Sequence, residues 1–177
     1  MQKHMPNLWF RLMTVEYAMR SRRAQVSRDL EEAGVRPGMT VLDFGCGPGR
    51  YALPTARRVA AQGLVHAVDV HPLAVRRVQR LASAEGLTNI HGIHTDCRTG
   101  LAPRSVDIAP IYDALHDVED KPAILDEIAR VLKSEGTLSY RDHTLNGPAL
   151  LSLMEASGFH LRGETASFLA FVLASAR

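Results

Sequence analysis

Residues 41–52 read Val-Leu-Asp-Phe-Gly-Cys-Gly-Pro-Gly-Arg-Tyr-Ala, an apolar run that meets an acid and then three glycines in alternate positions. A buried strand, a bare tight loop and a helix start satisfy that pattern together. The same change of period recurs down the chain. Residues 39–44 form a short strand bounded by Pro37-Gly38 and Gly45. Residues 51–63 form a helix with Pro54 in its first turn and an end near Gly63. A second strand covers 64–70, and a helix covers 72–86, with Leu73, Val75, Val78 and Leu81 on its apolar side and Gly86 as its stop. Strands at 89–96 and 105–113, a helix at 121–133, a strand at 136–143 and a helix at 147–158 complete the alternation. The last segment, from Phe159, holds two strand-like runs with no room for a helix between them, which specifies an antiparallel hairpin. Strand–helix units with short links predict an α/β fold, a parallel sheet covered by helices on both faces. Residues 1–34 read as an additional helical segment, one helix or two, ahead of a core at 36–177 in a single domain. Pro110 lies inside the fourth strand, where it has no N–H for the ladder, so either that strand stops early or a bulge turns its end.

Length and charge narrow the function. The 177 residues suit one domain, and 46% hydrophobic content supplies a core without disulfide or metal staples. With 21 Lys+Arg against 19 Asp+Glu the net charge is +2, too small a field to recruit nucleic acid or a membrane surface. Two cysteines, no 18-residue apolar stretch and no uninterrupted apolar leader set the expectation of a cytoplasmic protein with no membrane partner. Arg20, Arg22, Arg23 and Arg28, like Arg76, Arg77 and Arg80, read as solvated helix faces, since no aromatic platform for RNA accompanies them.

In open α/β sheets ligands bind beyond the carboxyl ends of the strands, which puts the glycine loop at the site. A dinucleotide fingerprint fits poorly, because its third glycine would fall on Arg50. A nucleoside triphosphate loop is excluded, because no Lys-Ser or Lys-Thr follows the glycines. The order D-x-G-x-G-x-G, here Asp43-Phe-Gly45-Cys-Gly47-Pro-Gly49, resembles the first motif of class I S-adenosylmethionine-dependent methyltransferases. Asp69 ends the second strand about 20 residues on, where a carboxylate accepts from ribose hydroxyls. Asp96 follows the third strand. Residues 106–142 look like the family's fourth strand, Leu-His turn, helix and L-K-x-x-G-x-L entry to the fifth strand. The resemblance spans about residues 36–174.

The resemblance implies a three-layer Rossmann-like sandwich whose seven strands run in the order 3-2-1-4-5-7-6, only the seventh antiparallel. It implies S-adenosylmethionine as cofactor and S-adenosylhomocysteine as product. Asp43, Gly45, Cys46 and Gly47 would line the methionine moiety. Asp69 would hold the ribose, with Val70 and His71 beside the adenine. Asp96 would bond the adenine amino group, the Cys97 backbone would face the ring, and Tyr112 would lie near the ammonium and the methyl group.

Methyl transfer is an in-line displacement in which positioning dominates, and some acceptors also need a base. Tyr112, Asp113, His116, Asp142 and His143 cluster where the fourth and fifth strands end, and Tyr112, His116 and His143 are the catalytic candidates. Asp113, Asp142 and His143 also resemble the magnesium ligands of catechol-type O-methyltransferases. Those enzymes carry Asp-Asn after the fifth strand and this chain carries Asp142-His143, so no catalytic metal is expected. His91 and His94, three apart on a strand, point to opposite faces and are not a metal pair. Cys46 and Cys97 read as small loop residues. Trp9, Phe10, Met13, Tyr17 and Met19 make the N-terminal segment apolar, either to pack on the sheet or on a second subunit as a homodimer, or to form a lid over the acceptor. A small-molecule acceptor is the first expectation. The alternatives are an RNA or protein acceptor, a magnesium-dependent O-methyltransferase, and a non-catalytic S-adenosylmethionine-binding subunit.

Overall fold

The structure is a computed structural model that describes residues 23–165 and 167–174. In chain order its elements are α1 (Arg23–Glu32), β1 (Thr40–Phe44), α2 (Ala52–Val59), β2 (Leu64–Asp69), α3 (Pro72–Ala84), β3 (Ile90–His94), β4 (Val106–Tyr112), a 3₁₀ turn (Leu115–Asp117), α4 (Lys121–Val131), β5 (Leu132–Arg141), α5 (Gly147–Ala156), β6 (Phe159–Glu164) and β7 (Leu169–Leu173). The strands form one sheet in the order β3-β2-β1-β4-β5-β7-β6. Strands β1 to β5 pair in parallel, and β7 runs antiparallel to both β5 and β6. This is the order and the single reversed strand that the resemblance implied.

Alternation along β1 shows how the layers form. Leu42 belongs to a core that packs Leu125 and Ile128 of α4 and Leu150 and Met154 of α5 on one face. Val41 belongs to a second core with Val26 and Leu30 of α1, Ala56 of α2 and Val78 of α3 on the other. Among the described residues no helix is long and apolar enough to cross a membrane.

Several boundaries differ from the sequence expectation. Helix α2 stops at Val59, because Ala60 takes a positive φ of 58° and its N–H bonds Arg57. Strand β3 stops at His94, which leaves Asp96 in the following bend. Strand β5 starts at Leu132, directly after α4, because Leu132 pairs with Val106 before the register slips. Strand β4 neither stops early nor bulges at Pro110. Its ladder with β5 continues through Pro110↔Ser139 to Tyr112↔Arg141, and the irregularity lies earlier, between Val106 and Ile108. The register of β4 with β1 is at Val41↔Ile108, ahead of the proline.

Helix α1 is the described part of the expected N-terminal helical segment. Trp9, Phe10, Met13, Tyr17, Met19, Arg20 and Arg22, and with them the lid and homodimer expectations, lie outside the described residues. Arg28 is exposed. A polar clamp ties α1 to the sheet. The Asp29 side chain is fully buried and accepts from Tyr51 Oη at 2.6 Å, Gln25 Nε2 at 2.8 Å and Arg141 Nη1 at 3.2 Å. Burial pushes the Asp29 carboxyl up, but these hydrogen bonds and the Arg141 charge outweigh it and hold it below its ordinary value. The Arg141 guanidinium also donates to Tyr51 Oη and lies over the rings of Phe168 at 4.7 Å and Tyr112 at 5.2 Å.

Removing one partner of this pair leaves a charge short of its counter-ion. Asp29→Ala should cost about 2 kcal/mol or more, at the lower end for a buried pair because Arg141 keeps some water contact. Urea unfolding of the variant against Arg28→Ala, an exposed change on the same helix, measures it, and equal stabilities would contradict the clamp.

Candidate functional site

Strands β1, β2, β4 and β5 end at the same edge of the sheet, and their loops build the site. The loop after β1 is fastened by backbone. The N–H groups of Gly45 and Cys46 both donate to the Val68 carbonyl at 2.9 Å. The Gly47 N–H donates to Asp69 Oδ2 at 2.8 Å. Gly45 and Gly47 are bare for different reasons. Gly45 has φ 80°, and a Cβ there would lie 2.6 Å from the Ala114 Cβ, so its bareness admits the loop after β4. Gly47 has φ 50°, and a Cβ there would meet nothing within 4 Å, so it borders open space. Cys46 is buried, and burial pushes its thiol up, as for a packing residue.

The two acids at the ends of β1 and β2 are in different states. Asp43 is 5% exposed, and among the described residues no donor reaches its Oδ2. Burial first, and the neighbouring Asp69 second, push its carboxyl up to about 7. A buried carboxylate without a partner is costly and marks a place for a cation or donor. Burial also pushes Asp69 up, against hydrogen bonds from His71 and Gly47. Its Oδ1 accepts the His71 N–H at 2.7 Å while Oδ2 takes that of Gly47. Asp69 therefore first ties the glycine loop to the start of α3, with one lone-pair site left on each oxygen. His71 caps α3 by accepting the Leu73 N–H at Nδ1, 3.1 Å away. The Val70 carbonyl meets His94 Nε2 at 3.0 Å. Asp96 is exposed beyond β3. The Cys97 N–H donates to Thr95 Oγ1 and its thiol to the Ala123 carbonyl, so its side chain faces α4.

The loops after β4 and β5 are cross-linked by two reciprocal pairs. His116 Nδ1 lies 2.9 Å from Asp142 Oδ2, and the His116 N–H donates to the same oxygen at 3.2 Å. His143 Nδ1 lies 3.0 Å from Asp113 Oδ1, and the His143 N–H donates to that oxygen at 3.3 Å. The two imidazole centroids are 4.9 Å apart. Asp142 also accepts from the N–H groups of Thr144 and Leu145 on Oδ1. Burial raises its carboxyl, but these bonds and the one from His116 prevail and hold it down. The hydrogen bond with Asp113 holds His143 above its ordinary value. Tyr112 is engaged elsewhere. Its hydroxyl bonds Ser139 at 2.9 Å and its ring lies 4.8 Å from both Tyr51 and Phe168, so burial pushes its hydroxyl well up.

Sequence reasoning missed Asp29, Tyr51 and Arg141. An arginine at the end of the strand Leu138-Ser-Tyr-Arg141 was the one signal available. It also missed a cavity of about 370 Å³ beside the β5 loop, walled by Arg141 and Asp142, Asn146 and Leu151 of the α5 start, and Leu161 and Phe168 of the hairpin.

With this geometry in view, relatives are informative. A methyltransferase domain family matches residues 36–164. The chain belongs to the class I S-adenosylmethionine-dependent methyltransferases. It is 32% identical to the aklanonic acid methyltransferase DauC of Streptomyces sp. over 104 residues, 58% of this chain and 47% of that protein. It is 33% identical to the ubiquinone/menaquinone biosynthesis C-methyltransferase UbiE of Hydrogenovibrio crunogenus over 111 residues, 62% of this chain and 44% of that one. The chain thus spans about half the length of the curated relatives it matches. A crystal structure of an S-adenosylmethionine-dependent methyltransferase from Aquifex aeolicus shares the fold, with TM-score 0.74 at 22% identity over 84% of this chain and 89% of that one.

Asp43 gives this methyltransferase domain a pH signature. An acid held above its unfolded value binds an extra proton in the folded state, so stability falls as pH rises from the ordinary carboxylate range to about 7. The slope attributable to it is at most about 1.4 kcal/mol per pH unit. Asp43→Asn removes that slope, so the variant should gain on wild type between pH 5 and pH 8. Urea unfolding at both pH values reads the difference, and parallel losses in the two proteins would contradict it.

Proposed function

We propose that this chain transfers the methyl group of S-adenosylmethionine to a small-molecule acceptor with an O, N or S nucleophile. The Asp43 carboxylate, buried beside a loop whose Gly47 borders open space and with an Oδ2 that no donor among the described residues reaches, is the observation that carries the reading. The residues fit that cofactor's groups. Asp43 lacks a cation, and the cofactor's ammonium is one. Asp69 keeps lone pairs for the ribose hydroxyls. Asp96 is exposed and free to take an adenine amino group, with Val70, His71 and the Cys97 backbone as neighbours. Gly45, Cys46 and Gly47 keep the loop low, and Tyr112 would stand near the ammonium and the methyl group.

When bound, the cofactor supplies a methyl group on a sulfonium, whose carbon–sulfur electrons stay on sulfur as the acceptor's lone pair makes the new bond. The chain's task is to hold the acceptor in line with it. The cavity beside the β5 loop, about 370 Å³, has the size of a small-molecule site. Leu151 and Leu161 on its wall are 36% and 46% exposed, which favours an acceptor with an apolar body. The cluster of His116, His143, Asp113 and Asp142 borders the same edge, and proton removal from the acceptor falls to it.

Calorimetry tests the cofactor reading without knowledge of the acceptor. Both S-adenosylmethionine and S-adenosylhomocysteine should bind in the micromolar range, and Asp43→Asn should weaken both by at least about tenfold, the loss of one charge-assisted contact. Folded wild-type protein that binds neither would overturn the assignment.

A further inference from the structure

Charge in this chain is sorted by layer. From Arg50 to Ala84 the side chains of fixed charge are six arginines and one acid, Asp69, which the glycine loop engages. From Asp107 to Asp126 they are six acids and one cation, Lys121. The helices that carry them cover opposite faces of the sheet. Helix α3 packs through Val78 into one core, and α4 packs through Leu125 and Ile128 into the other.

Some of these charges are already matched. Arg57 pairs with Glu85, and Arg58 Nε donates to the Val35 carbonyl at 2.7 Å. Arg77 Nε donates to the Pro48 carbonyl at 3.3 Å, and burial together with the Arg80 charge holds its guanidinium below the ordinary value. Arg76 and Arg80 are exposed, one turn apart on α3, and no acid among the described residues pairs with either. On the other face Asp107 pairs with Lys133, Asp113 with His143, and Asp120 caps α4 by accepting the Ala123 N–H. Lys121 gives its Nζ to the Val118 carbonyl at 2.7 Å. Glu119 and Asp126 are exposed and have no cation beside them among the described residues. The chain therefore presents an unmatched positive patch on α3 and an unmatched negative patch around the first two turns of α4. Nucleic acid fits this pattern poorly. A phosphate backbone held on α3 and reaching for the site would meet Asp113, Asp117 and Glu119 on the β4 side of the same edge, like charge against like.

We propose that the α3 patch of one copy of this chain docks on the α4 patch of another, with Arg76 and Arg80 against Glu119 and Asp126. The two surfaces differ, so the contact is head-to-tail and builds a ring or a chain of copies rather than a two-fold dimer. Arginine suits the role, because its planar fork meets a carboxylate through two parallel hydrogen bonds. Exposed pairs are individually weak and screened by salt, so the association is transient and salt-dependent. It stands independently of the cofactor reading.

Sedimentation velocity of the full-length protein reads the association directly. Wild type should associate with rising concentration at about 0.01 M salt, where exposed charges act over about 30 Å, and be monomeric at about 1 M, where they act over about 3 Å. Arg76→Glu with Arg80→Glu makes both patches acidic, and Glu119→Lys with Asp126→Lys makes both basic. Each double variant alone should associate at least about tenfold more weakly, since like charges then face each other. Mixed in equal amounts, the two should associate again, because each reversed patch finds its opposite on the other variant. Circular dichroism establishes that both are folded. A wild type that is monomeric at low salt, association that either reversal leaves unchanged, or a mixture that stays monomeric overturns the proposal. Low-salt binding of a single-stranded RNA oligonucleotide by a monomeric wild type, lost on reversal of Arg76 and Arg80, would overturn it too and assign the α3 face to nucleic acid.

Discussion

At the end of β1 the chain places a carboxylate, Asp43, with 5% exposure and one oxygen that no donor among the described residues reaches. Its neighbour at the end of β2, Asp69, is buried beside it and adds like charge. Parallel strands bring these two residues together, because β1 and β2 are in register from Thr40↔Leu64 to Phe44↔Val68. The loops are arranged around these two acids. Gly45 lets the β4 loop close against the glycine loop, Gly47 keeps the other side open, and Asp69 spends one lone pair per oxygen on holding the loop to α3. A sheet edge built this way holds two acids close together under burial, and Asp43 responds by keeping its proton to about pH 7.

The other half of the edge is held by polar cross-links rather than by apolar contact. Arg141 at the end of β5 reaches Asp29 on α1 and is enclosed by Tyr51, Tyr112 and Phe168. One residue later the direction reverses, and Asp142 and His143 reach the β4 loop instead. One short segment at the end of β5 thus fastens the α1 side and the β4 loop together. The cavity opens beside this junction, and Arg141 and Asp142 form part of its wall as well as of this frame.

Much of the fold was legible in the sequence, because period and punctuation carry it. Glycine and proline bounded β1, and Pro72 and Gly86 bounded α3 closely. Boundaries failed where pairing rather than propensity decides. Leu132 looks like the last turn of a helix and is a strand residue because Val106 is opposite it. Pro110 looked disruptive, yet the ladder with β5 passes through it. At the site, residues in strand-end motifs were found and their partners were not. Nothing in the spacing of Asp113, His116, Asp142 and His143 says that each histidine pairs with the acid of the other loop, since that pairing depends on β4–β5 register. Asp29 and Arg141, 112 residues apart, meet only through tertiary packing.

The central claim is that Asp43 waits for the cofactor's ammonium, and proton exchange on binding tests it most directly. With its carboxyl near 7 in the free protein, a cation alongside should drive off about half a proton per site at pH 7. Calorimetry of S-adenosylmethionine binding in buffers of different ionisation enthalpy counts that proton. The account predicts release from wild type and none from Asp43→Asn; equal proton exchange in the two proteins would contradict it.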